Sequence, residues 1–253
     1  MSSVKLPVPR DVREFIQGYP DNRDDPSLKA NLEFYSNQRR CQPDHMLIEE
    51  VLSRWHGDYA KLEHKHGFIQ WLFPIQEYGM NYESQPLQRH EITSIRADPD
   101  IIERVIRSFA LMLDFYGMQL VDRNTGLLSR TENYQDRYRN LARSSHNYLR
   151  ISRILKCLSE LGLERLNAGF LLHVLNEQSE HGALDAPALR NSMDRWWANC
   201  LRNDAERDWI GGLIEKVRQG QKEEDGFVWT RSLYERALEQ RKEKGSLSIE
   251  LDA

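Results

Sequence analysis

The feature that most restricts what this chain can fold into is a spacing of apolar side chains at three and four residues. It is fullest between Asp98 and Gly117. There Ile101, Val105, Phe109, Met112, Leu113 and Tyr116 share one face of a 3.6-residue repeat, which is the pattern of a helix with one buried side. Asp98 supplies a side chain that can accept from the first free backbone N–H groups, Pro99 suits the first helical position, and Gly117 ends the run. Almost no segment shows the two-residue alternation of a half-buried strand.

The same spacing predicts a helix over about Asp44 to His66, with Ile48, Val51, Leu52, Trp55, Tyr59 and Leu62 inward, Asp44 as its N-cap and Gly67 just past its end. A short helical turn is expected next, with Phe68, Trp71 and Leu72 on one side and Pro74 stopping it. "VDRNTGLLSR" reads as a loop with a hairpin-like turn at Asn124 to Gly126, and "SRTE" at Ser129 to Glu132 as a capping box. Helices are then expected over about 130 to 142, 145 to 161, 168 to 178, from Pro187 past Trp196 and Trp197, over 205 to 218, and to Lys244. The expected fold is all-α, an irregular orthogonal bundle of about eight helices with little or no β. Residues 1–30 hold Pro7, Pro9, Pro20, Pro26 and "DNRDDP", and read as an extended or loosely docked arm. Residues 31–218 are the expected helical domain, and 219–253 a charged C-terminal helix with a frayed tail.

Composition narrows the function classes. At 253 residues and 40% hydrophobic content the chain can bury a sizeable core. A formal charge of -4 gives no basic footprint for nucleic acid. Cys41, Cys157 and Cys200 are far apart and odd in number, which fits a reducing compartment better than a disulfide framework. No apolar run approaches a membrane span, and the N-terminus lacks the apolar stretch of a secretory signal, so a soluble, intracellular, cytoplasmic protein is expected. No H-E-x-x-H, G-x-S-x-G, C-x-x-C or glycine-rich phosphate loop occurs, so no catalytic or metal residue and no cofactor is assigned.

Two stretches draw attention. In "EHKHGFIQWLFP", His64 and His66 are two apart and do not face each other on a helix, so they do not chelate one metal. His66 is expected to be partly buried and bonded to a backbone carbonyl, His64 to lie at the surface, and Trp71 to anchor the core or, alternatively, to floor a ligand groove. In "RNLARSSHNYLRISRILK", His146, Arg150 and Arg153 form one stripe beside a buried face, with Asn147 next to it. Such arginines either receive a phosphate or carboxylate near the helix N-terminus or pair with acids of neighbouring helices. Of Trp196 and Trp197, at most one can point fully inward.

These stretches carry a resemblance. "NLEFY", "IEEVLSRWHGDYAKLEHKHGFIQWLFPIQEYGMN", "RSFALMLDFYGMQL" and "RSSHNYLRISRILKCLSELGLE" resemble the conserved domain of the opioid growth factor receptor family over about Asn31 to Arg218. The resemblance implies an all-helical, non-catalytic peptide-binding or regulatory module, with opioid peptide binding, growth regulation and a nuclear or perinuclear setting. A short peptide or small anionic ligand is then the expected partner, with Trp71, His146, Asn147, Arg150 and Arg153 as the candidate binding set. The alternatives are a small-molecule enzyme with a pocket near His146 and Arg150 or near His66, and phosphate or nucleic-acid binding through the arginine stripe, nucleic acid being the less expected partner.

Overall fold

The structure is a computed structural model, and it describes residues 8–223 and 225–247. The chain begins with α1 (Arg10–Ile16), α2 (Ala30–Tyr35), α3 (Ile48–Arg54), α4 (Tyr59–His64), α5 (Ile69–Leu72) and α6 (Arg89–Ala97). The long α7 (Pro99–Tyr116) leads into a hairpin of β1 (Met118–Asp122) and β2 (Leu127–Arg130). Then follow α8 (Tyr134–Arg143), α9 (His146–Glu160), α10 (Glu164–Ser179), α11 (Pro187–Arg195), α12 (Asp204–Gly220) and α13 (Arg231–Lys244). The fold is an irregular all-α bundle carrying one antiparallel pair of strands.

The α7 helix forms as its spacing demands. Asp98 accepts from the N–H groups of Asp100 at 2.9 Å and Ile101 at 3.2 Å, and Gly117 takes the left-handed turn at φ 87°. Its six expected inward residues are all buried.

The helix expected over 44 to 66 is instead two. The left-handed Gly57, at φ 75°, breaks the chain after Trp55, and Asp58 restarts it by accepting from the Lys61 N–H at 3.0 Å. Apolar periodicity runs unbroken across the gap because Trp55 and Leu62 both reach the core, so the period concealed the break. Asp44 is no N-cap. The Glu50 carboxylate closes the start of α3 by accepting from the Leu47 N–H at 2.9 Å, while Asp44 pairs with Lys65 at 2.9 Å.

Further differences have physical causes. The β1–β2 hairpin takes up Ser129, so "SRTE" caps nothing and α8 starts at Tyr134 without a side-chain cap. Helix α10 starts at Glu164, ahead of the expected 168. The segment read as a loosely docked arm holds α1, whose Val12 and Phe15 have no exposed surface. Of the tryptophan pair, Trp197 is buried and Trp196 half-buried. Part of the expected frayed tail, residues 248–253, lies outside the described residues. A single cluster of buried residues runs from Phe15 to Leu247, so both ends of the described chain contribute to the core.

Candidate functional site

The stripe on α9 and the segment 62–77 form one unit. At the N-terminal end of α9, His146 Nε2 lies 2.8 Å from Glu63, whose other oxygen accepts from Asn140 at 2.8 Å and Asn147 at 3.5 Å. One turn on, the buried Arg150 donates to the carbonyls of Leu62 at 2.8 Å, Glu63 at 3.3 Å and Lys65 at 2.6 Å. Those are the carbonyls the end of α4 leaves without helical partners, so Arg150 is its cap. Arg153 then donates to Phe73 O, at the end of α5, at 2.8 Å. Lys156 reaches Glu77 at 2.7 Å and Asp11 at 2.9 Å, and Glu160 accepts from Gln76 at 3.2 Å. The residues recur at helical spacing, so the polar side of α9 is a buried seam against the chain that contains "FIQWLFP".

This changes the role of each candidate. The Arg150 guanidinium also bonds Asn147 Oδ1 at 3.1 Å and His66 Nδ1 at 2.9 Å, so its donors face protein groups. Burial holds its pKa below the usual arginine value. Because a guanidinium only donates, His66 Nδ1 accepts and the neutral ring keeps its proton on Nε2. His66 is thus exposed and bonded to Arg150, not half-buried on a carbonyl. Desolvation, then the charge of Arg150, holds its pKa below the usual histidine value. Burial works to raise the Glu63 carboxyl, but Asn140, His146, Asn147 and Arg150 outweigh it and hold it low. Trp71 is a core residue: its indole donates to Gln42 O at 3.0 Å and its ring packs 5.5 Å from Phe34.

The structure therefore brings His146, Asn147 and Arg150 together with Glu63 and His66, and leaves Trp71 and Arg153 elsewhere along the seam. The rings of His66 and His146 meet edge to face at 5.8 Å. Both stand at the surface, where an enzyme using them would need an enclosed pocket. Among the described residues no group of three or more His, Cys, Asp or Glu side chains is placed to hold a metal ion.

A different feature stands free of the seam. Directly after "FIQWLFP", Tyr78, Met80 and Tyr82 are 89%, 96% and 92% exposed. The loop that carries them is nonetheless tied down. The Asn81 N–H donates to Gln70 Oε1 at 3.0 Å, and its side-chain amide donates to Gln42 O at 2.8 Å and Gly67 O at 3.1 Å. Ser84 adds bonds to Gln70 at 3.0 Å and Asn81 O at 2.7 Å. Tyr78 borders a groove of about 620 Å³ walled by the Tyr19–Leu28 stretch and by residues 86–89. Glu14, Asp21, Asp25 and Glu77 bring carboxylates to it, and Arg23 and Arg89 bring guanidinium groups. The sequence signal for this site was the run of aromatic and methionine side chains at every second residue beside Gly79 and Asn81, in a stretch that the core spacing does not claim.

The fold and this surface define a predominantly helical protein in which Gln70, Gln42 and Gly67 pin one loop at Asn81 while Tyr78, Met80 and Tyr82 stand in solvent. Residues 24–235 match the family model described as the opioid growth factor receptor (OGFr) conserved region, and the chain belongs to that family. It is 42% identical over 222 residues to the opioid growth factor receptor of Mus musculus, covering 87% of this chain and 34% of that protein. Against the opioid growth factor receptor-like protein 1 of the same organism it is 36% identical over 222 residues, with shares of 87% and 47%. The human opioid growth factor receptor is 44% identical over 170 residues, with shares of 66% and 25%. The chain thus spans a quarter to a half of the length of these relatives. No solved structure matches it. Among the described residues no helix is long and apolar enough to cross a membrane.

Proposed function

We propose that this chain is a non-catalytic binding module of regulatory type, and that the Tyr78–Tyr82 loop with its adjoining groove receives a short peptide. The observation that carries the reading is the near-complete exposure of Tyr78, Met80 and Tyr82 on a loop pinned at Asn81. A loop whose backbone is already pinned loses little main-chain freedom on binding, so the apolar area its exposed side chains bury contributes to affinity at a smaller ordering cost. The groove suits a short peptide with both termini free. Its carboxylates favour the ammonium end, Arg23 and Arg89 the carboxylate end, and Tyr19, Leu28, Pro86 and Leu87 an apolar side chain between them. Relatives named as receptors for opioid growth factor make an opioid peptide the first probe.

Calorimetric titration of an opioid peptide into the wild-type chain and into the Tyr78→Ala, Met80→Ala, Tyr82→Ala triple variant tests the reading. The expected result is affinity at least tenfold weaker in the variant with an unchanged unfolding midpoint, because exposed side chains add little to stability. Equal affinity in the two proteins would overturn it. An intracellular setting, cytoplasmic or perinuclear, fits three buried free thiols, and imaging of a tagged chain checks it.

A further inference from the structure

A second cavity, of about 270 Å³, opens where α6, the α9–α10 turn, Arg202 and α13 meet. Four arginines line it, Arg96, Arg165, Arg202 and Arg241, against one acid, Glu164.

The charges behind this lining are unevenly matched. Arg202 pairs with the buried Glu160 at 2.7 Å, and Arg241 with the buried Glu206 at 2.7 Å. Glu164 accepts the Arg202 backbone N–H at 2.5 Å and the Ser159 hydroxyl. Among the described residues Arg96 and Arg165 have no carboxylate at ion-pair distance, and Glu160 acts on Arg96 and Asp122 on Arg165 only from farther off. Each gives only its Nε to a carbonyl, Arg96 to Glu160 O at 2.9 Å and Arg165 to Arg123 O at 2.8 Å. The two terminal nitrogens of each guanidinium are left for the cavity or for water. Arg96 lies over Gly162, where an added Cβ would come 3.6 Å from its Nε.

Backbone charge acts in the same direction. The 16-residue α10 starts at Glu164, and Leu163 before it has no side chain able to cap the helix. Its first two residues, Glu164 and Arg165, are among those lining the cavity, so the positive end of the helix lies beside it. The opposing end of α9 has its Glu160 carbonyl covered by Arg96. Burial first, then the nearby charges of Arg241 and Arg123, lowers the Arg165 pKa, and a bound anion would relieve that crowding.

We propose that this pocket binds a phosphate group, free or as a small phosphomonoester, with Arg96 and Arg165 as its main donors. Two unmatched planar forks beside a helix N-terminus suit a tetrahedral dianion with several acceptor oxygens. One concave site on a chain of net charge -4 does not suit a nucleic-acid backbone, which needs an extended basic track. The proposal uses none of the residues of the peptide groove and stands or falls separately from it.

The test is titration of inorganic phosphate and of phosphoserine into the full chain at constant ionic strength, with chloride as the control, read by calorimetry and by NMR shifts. The Arg165→Gln and Arg96→Gln variants are compared with Arg165→Lys. These side chains make few internal bonds, and circular dichroism checks that each variant is folded. The expected result is one saturable phosphate site, weakened at least tenfold in either glutamine variant and less in Arg165→Lys. Tighter binding of phosphoserine assigns the monoester as the source, and tighter binding of phosphate assigns the free ion. An effect no larger than that of chloride, or equal phosphate affinity in folded wild type and Arg165→Gln, would overturn the proposal.

Discussion

Arg150 shows how many structural bonds a single side chain can supply. It closes the end of α4 through three carbonyls and steadies Asn147 and His66, all from a buried position. Arg150→Ala leaves these groups without partners and removes the guanidinium that lies 5.6 Å over the Phe68 ring, so we expect a loss of about 3 kcal/mol in urea unfolding. Arg150→Lys should recover little of it, because an ammonium does not reproduce the planar fork. A loss below about 1 kcal/mol would show that the cap is dispensable. His173 gives a second prediction at this scale. It is fully buried on α10 with its Nε2 3.0 Å from the Tyr138 hydroxyl, and Glu177 beside it is already neutralised by Arg130 at 2.6 Å. Burial, then the charges of Arg231 and Arg130, pushes its pKa down to about 3. A histidine depressed in the folded state takes its proton first in the unfolded chain. The stability it allows is present above about pH 6.5 and is lost as pH falls toward 3. Between pH 6.5 and 4.5 that loss is about 2 kcal/mol, and it should be missing from the His173→Gln variant. Identical pH slopes in the two proteins would rule His173 out as the cause. The candidate site was partly legible in sequence. The spacing of His146, Arg150 and Arg153 marked them as one stripe, but whether a stripe meets solvent or another segment depends on where residues 62–77 lie. Spacing within α9 does not encode that.

At the scale of elements, backbone contact decides where the hairpin sits. Gly126, at its turn, takes φ 84°, and its carbonyl would lie 1.8 Å from a Cβ added at Gly169 on α10. The Tyr234 hydroxyl of α13 bridges the same junction, donating to Gly169 O at 3.0 Å and accepting from Leu128 N at 2.9 Å. Gly169→Ala therefore sets a methyl against backbone rather than against a movable side chain. We expect a cost of about 3 kcal/mol and faster amide exchange in residues 118–130, while α3 to α5 keep their protection. Unchanged exchange in the hairpin would mean that the junction adjusts freely. This junction also explains what the sequence concealed about the elements. Long helices such as α7, α9 and α12 were readable because one face of each is apolar over several turns. The hairpin was readable only as a turn at Asn124 to Gly126, since its strands are four and five residues long and packed end-on by Gly169. The break at Gly57–Asp58 had a local signal, a glycine followed by a capping acid, but the continuing apolar period outweighed it. Helix α6 was missed for the opposite reason. "RHEITSIRA" offers Ile95 and little else to a core, and its buried Glu91 is held by Asn31 N at 2.9 Å and Asn31 Nδ2 at 2.9 Å from α2.

At the scale of the whole molecule, the question is whether residues 31–218 are a folding unit, as their motifs suggest, or whether the ends are needed. The family match stops at residue 235, inside α13. Burial runs past residue 218 and, at Leu238 and Leu247, past the match itself. Trp229 and Tyr234 have no exposed surface, Leu238 and Leu247 are buried with them, and the Trp229 indole donates to Leu172 O at 3.1 Å. At the other end, Phe15 is enclosed and Lys156 of the α9 seam pairs with Asp11. Each large apolar side chain taken from water contributes about 1.5–3 kcal/mol, so Trp229, Tyr234, Leu238 and Leu247 together contribute roughly 6–12 kcal/mol. The net stability of a domain is about 5–15 kcal/mol. Losing the C-terminal helix should therefore remove most of what keeps α10 and the hairpin in place. A chain cut after residue 218 is expected to lose cooperative unfolding and bind a hydrophobic dye, whereas one that keeps residues 8–247 should melt in a single transition. A truncated 31–218 chain with a sharp, reversible melt would show instead that the motif-bearing segment folds alone and that α1 and α13 are additions to a complete core.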